Sequence, residues 1–190
     1  PGRVQAWVIG PGGGDDVDEL ITAALADDVP IVLDASALDH LPKTFNVPAL
    51  LTPHAGELAR MLDTDRDEVE ADPLGHVTKA AERWNATVLL KGRRTLVATP
   101  GRTTRVNLTG SPWLATAGAG DVLAGLAGSM LAAGADPHDA GSFAAFLHGA
   151  ASVHANPGGP VTASDVADAL PRTIADFIAG TLDDVRDWRD

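Results

Sequence analysis

Cysteine is missing from all 190 residues, which excludes disulfides, thiolate nucleophiles and cysteine-ligated metals. A reducing, cytoplasmic setting is the matching expectation. Positive charge is scarce: Lys43, Lys79 and Lys91 are the only lysines and the formal net charge is −12. Neither nucleic acid nor an anionic membrane is therefore an expected partner. Long apolar runs are lacking too. None approaches the roughly 20 residues that span a bilayer, and no basic segment followed by an apolar stretch opens the chain. The tryptophans, Trp7, Trp84, Trp113 and Trp188, are scattered and form no platform for stacking bases, although Trp113 stands near enough to a Gly-rich loop to flank a ring.

What is present is 45% hydrophobic content, enough for one core and one domain over residues 1–190. Apolar runs at 4–9, 30–33, 49–51 and 87–90 read as strands, with helical patterns at 15–25, 55–62 and 74–84 between them. That alternation predicts a mainly parallel sheet covered on both faces. Segments 95–98 and 103–106 flank Pro100-Gly101 and predict a hairpin at one edge. Helices follow at 121–133, 139–155 and 164–180, the last opened by a Thr162–Asp165 capping box and kinked or shortened by Pro171. The acidic stretch 183–190 reads as a solvated end. A core strand starting almost at the first residue suggests a piece of a longer chain.

Polar residues punctuate the strand ends: Gly10-Pro11-Gly12, Asp34, His54-Ala55-Gly56-Glu57, Lys91-Gly92-Arg93-Arg94-Thr95, and the loop from Asn107 to Asp121. Parallel topology gathers such ends along one rim, where ligands bind. In the last loop, small residues expose the amides of Gly118 to Asp121 at the positive end of a helix whose apolar face is Leu123, Leu126 and Met130. A phosphate fits there, with Asp121 beside it as a base; a plain helix cap is the alternative. In a chain this acidic, Lys91 and its arginine neighbours form a local positive site suited to an anion, or a basic turn. Gly12 lines the cleft or merely completes a turn. His148 lies in an apolar helix and reads as a hydrogen-bonded core histidine.

In order and wording these segments resemble the ribokinase-like superfamily, specifically the carbohydrate-kinase-like domain of ADP-dependent NAD(P)H-hydrate dehydratase. The resemblance rests on Val8-Ile9-Gly10-Pro11-Gly12, Leu51-Thr52-Pro53-His54-Ala55-Gly56-Glu57-Leu58, Leu89-Leu90-Lys91-Gly92 with Thr95, and Asn107-Leu108-Thr109-Gly110 leading to Gly120-Asp121-Val122-Leu123-Ala124-Gly125. It covers nearly the whole chain. Related vitamin kinases usually carry Asn at the place of His54, which favours the dehydratase. Gly13-Gly14, Ser36 and Ser111-Pro112-Trp113 depart from the family's usual residues.

The resemblance implies a three-layer sandwich with an edge hairpin, and repair of hydrated NADH or NADPH with ADP or ATP and Mg2+. It implies a catalytic Asp121 that also contacts substrate together with Gly12 and His54. It implies a nucleotide site of Lys91, Gly92, Thr95, Asn107, Thr116, Gly118 and Gly120, and Glu57 as an acid near magnesium, acting through water. Family domains begin with further elements, about a third of a domain, which these residues lack, leaving the dinucleotide site incomplete. An epimerase domain precedes them in many bacteria, and such proteins commonly form homo-oligomers. A small-molecule kinase on the same fold, acting on a vitamin precursor or sugar, is the second reading. An adenine-nucleotide-binding module without catalysis is the third.

Overall fold

The computed structural model describes residues 3–14 and 16–182. Asp15, Trp188 and the acidic stretch 183–190 lie outside the described residues. Four short strands, β1 (Trp7–Ile9), β2 (Ile31–Leu33), β3 (Ala49–Leu51) and β4 (Thr87–Leu90), pair in parallel in chain order. β5 (Thr95–Ala98) and β6 (Arg105–Asn107) then continue the sheet antiparallel, as an edge meander. In the six-strand order β1 to β6, four rim segments follow the carboxyl ends of the parallel strands β1 to β4, and the loop from Asn107 follows β6.

Strand periodicity splits the core in two. Ile31, Leu33, Leu51, Val88 and Leu90 face α1 (Val17–Ala26), α2 (Ala55–Leu62) and α4 (Pro73–Trp84), packing on Val17, Ile21, Leu58, Val77 and Trp84. Val32, Leu50, Leu89 and Val97 face the opposite way, onto Leu123, Ala127 and Leu131 of α5 (Ala119–Ala132) and Ala144 and Leu147 of α6 (Pro137–Ala155). Val32, Leu50 and Leu89 are fully buried, each contributing about 1.5–3 kcal/mol. α7 (Ala163–Ala179) closes this layer against α6.

Some expectations need correction. The run at 4–9 forms a strand only over Trp7–Ile9, because β2 offers three residues to pair with. A short acidic helix, α3 (Arg66–Ala71), stands where none was expected; its single buried side chain, Val69, leaves no periodicity to read. Pro171 does not shorten α7: the expected Thr162–Asp165 capping box is present, and Leu170 and Ile174 pack against the α5–α6 core across the proline.

Candidate active site

The rim begins with a turn. Gly13 N–H donates to Gly10 O at 2.9 Å across Pro11-Gly12, and Gly12 has φ +65°, which with proline before it is a type II turn that calls for glycine. Gly10 is constrained by contact: a Cβ there would lie 1.7 Å from the carbonyl oxygen of Asp34. The turn is thus seated beside the end of β2, with Gly12 exposed at its tip.

Asp34 follows β2 and is buried at 1% exposure. Its Oδ1 accepts from Lys91 Nζ at 2.6 Å, and the same ammonium stands 3.6 Å from Glu57 Oε2. Lys91 is placed by the backbone: its N–H donates to Pro53 O at 2.7 Å, and it bridges in parallel to His54. His54 is the N-cap of α2. Its Nδ1 accepts from Glu57 N–H at 3.1 Å, while its own N–H donates to Glu57 Oε2 at 2.7 Å. This is a capping box built with histidine in place of the usual Ser, Thr or Asp. Because Nδ1 accepts, a neutral ring carries its proton on Nε2, which lies 3.5 Å from Glu57 Oε1. The ring is about half exposed, so it caps the helix and still borders the cleft.

α5 completes the group. Its N-cap is Gly118, at φ +81°, and Asp121 lies in the first turn. A Cβ on Gly120 would stand 3.5 Å from Lys91 Nζ and 3.7 Å from Asp34 Oδ2, so the amino end of α5 abuts the ion pair. Asp121 is exposed, and among the described residues its carboxylate makes no capping bond and no ion pair.

Leu90 pairs with Leu96 and Thr95 with Asn107, so Lys91, Thr95 and Asn107 stand at one level across β4, β5 and β6. Asn107 departs from a free ligand contact. Its Nδ2 donates to Ala145 O at 3.2 Å and Thr109 O at 3.3 Å, and its Oδ1 accepts from Thr109 Oγ1 at 2.8 Å, which ties β6 to α6. Gly92 is exposed after β4, and Thr116 O accepts from Ala119 N–H in the turn that enters α5. The structure therefore joins Asp34, His54, Glu57, Lys91 and Gly120 directly, with Gly12 and Asp121 flanking them. Asp34 is the residue that reading by motif underweighted; its signal was a lone carboxylate ending a fully apolar strand.

The donor set fits a magnesium ion carried on nucleotide phosphates, not a protein cage. Among the described residues no group of three or more His, Cys, Asp or Glu is placed to hold a metal, and Glu57 is engaged by His54 and Lys91.

His148 is buried as expected, with a correction: its Nε2 has no hydrogen-bond partner among the described residues. Burial pushes its pKa down to about 4, with the Ala119 backbone opposing.

The profile of the carbohydrate-kinase family described as NAD(P)H-hydrate dehydratase matches residues 1–172. The chain belongs to this family. It is 42% identical over 185 residues to a bifunctional NAD(P)H-hydrate repair enzyme of Mycobacterium leprae, covering 92% of this chain and 37% of that one. To an ADP-dependent (S)-NAD(P)H-hydrate dehydratase of Neisseria meningitidis it is 44% identical over 161 residues, 78% of this chain and 54% of that one. The chain thus spans about a third to a half of the length of these relatives. The crystal structure of ADP/ATP-dependent NAD(P)H-hydrate dehydratase from Bacillus subtilis with ATP and Mg2+ superposes with a TM-score of 0.83 at 32% identity, over 91% of this chain and 65% of that one. The fold is ribokinase-like.

Proposed function

We propose that this domain carries out the nucleotide-dependent dehydration of hydrated NADH or NADPH. The hydroxyl oxygen of the hydrate attacks the terminal phosphorus of ADP or ATP, and the shortened nucleotide leaves. Asp121 takes the hydroxyl proton, and the amides of Gly118 to Asp121, at the positive end of α5, stabilise charge on the group in flight. The C–O bond then breaks with loss of phosphate and of a proton from the neighbouring ring carbon, which restores the nicotinamide ring. Magnesium, when bound on the phosphates, neutralises charge there. His54 borders the substrate side, and Lys91, Gly92 and Thr95 the nucleotide side. In a longer protein, an epimerase domain of the kind the family resemblance implies would feed the site with the reactive epimer.

One observation carries this reading: Asp121, whose carboxylate makes no capping bond or ion pair among the described residues, stands on the first turn of a helix whose start abuts the Lys91 ammonium. The test is recovery of absorbance at the reduced-nicotinamide band from hydrated NADH with ADP or ATP and Mg2+. Restored NADH with free phosphate is expected, and Asp121→Asn should lower the rate by about 10²–10⁴-fold while adenine-nucleotide binding persists. A stable phosphorylated product would identify a kinase instead, and nucleotide binding without turnover a binding module.

A further inference from the structure

We propose that the hollow between the carboxyl ends of α2 and α4 is a second ligand site, which takes a compact organic anion with two or more negative charges, a phosphate ester or a polycarboxylate. Its volume of about 380 Å³ lies at the small end of ligand pockets. Lys43, Arg60 and Arg83 stand around it, and Asp39 is the one acid of its lining among the described residues. Leu38, Met61 and Trp84, all buried, form an apolar floor. In a chain of net charge −12, three cations against one carboxylate reverse the local field. The site is apart from the catalytic rim: Arg60 follows the capping His54 by about 9 Å along α2.

The fold does not consume these charges. Arg60 lays Nε and Nη2 against Asp39 at 3.2 and 3.3 Å, which leaves Nη1 to donate elsewhere. Arg83 gives Nη1 to Met61 O at 3.0 Å and rests 4.6 Å from the centre of the Trp84 ring, which leaves Nε and Nη2. Lys43 is exposed and makes no hydrogen bond or ion pair among the described residues. Helix-dipole pairing accounts for Arg60 and Arg83, each in the last turn of its own helix. It does not account for Lys43, which comes from the segment between β2 and β3, nor for the hollow that the three enclose. Unspent guanidinium donors and a free ammonium above an apolar floor suit oxyanion groups on a small carbon skeleton.

The experiment is a titration followed by nitrogen–proton correlation NMR, with citrate and with glucose 6-phosphate in turn, against sodium chloride at matched ionic strength. The backbone amides of Lys43, Met61 and Trp84 should shift together and saturate with a Kd of about 1 mM or tighter for at least one of the two anions, and not with chloride. Citrate and glucose 6-phosphate separate a carboxylate ligand from a phosphate one. Lys43→Glu changes an exposed side chain without a partner, so the fold should survive, and binding should weaken at least about tenfold. Arg60→Gln should weaken it as well. A response confined to the amides of Gly118 to Asp121, an equal response to chloride, or unchanged binding in Lys43→Glu overturns the inference. No readout requires turnover and the rim amides report separately, so its failure is distinct from failure of the dehydratase reading.

Discussion

His148 on α6 shows how one buried side chain sets a property of the whole domain. Burial holds its pKa near 4. His138, at 2% exposure, is pushed in the same direction by burial and by Arg102 and Arg105, against the pull of Asp136 and Asp139. The folded state thus refuses a proton that the unfolded chain accepts below its ordinary histidine pKa. Stability is full above about pH 6.5 and is lost as pH falls toward 4, with His148 accounting for about 2–3 kcal/mol. Urea denaturation at about pH 7.5 and about pH 4.5 should show this loss, and His148→Gln should remove most of it; an unchanged slope would assign the effect elsewhere. At this scale the site was largely legible. Asp121, His54, Glu57 and Lys91 each end a strand or open a helix in a polar phrase that an apolar core does not need. The partnership of Lys91 with Asp34 was not legible, because 57 residues separate them.

Among elements, the contact between the loop after β6 and α6 fixes the entry to the α5 loop. Gly149 lies so close to Thr109 that a Cβ would stand 2.5 Å from both its carbonyl oxygen and its Oγ1. Thr109 in turn donates to Phe146 O and to Asn107 Oδ1. Gly149→Ala should therefore cost about 1–3 kcal/mol, a fall of several degrees in melting temperature measured by circular dichroism, and should loosen the β6 side of the rim. A neutral result would mean that the loop can retreat. The buried strands and amphipathic helices were readable because their periods differ. What escaped were α3, with one buried residue, and the true length of β1, which its partner decides.

For the whole molecule, the open side of β1 matters most. Among the described residues β1 is an edge, paired to β2 alone, and Val8 at its centre is 37% exposed beside Gly128 of α5. Such an edge invites pairing with another chain, so residues 1–190 should self-associate in sedimentation velocity, and Val8→Lys should shift the population toward monomer without changing the far-ultraviolet circular dichroism. A monomer that is unchanged by concentration would show the edge to be blunted by other means. The net charge of −12 opposes association at low salt, which makes the effect stronger as salt is added. The sequence by itself determined the fold class, the alternation of layers and the identity of the rim residues, since these follow from local period, turn chemistry and motif order. Only the tertiary structure decided that Lys91 is shared by two buried carboxylates, that His54 caps α2, and that Asn107 is spent on α6. Those facts depend on segments far apart in the chain meeting at hydrogen-bond distance, which no local pattern encodes.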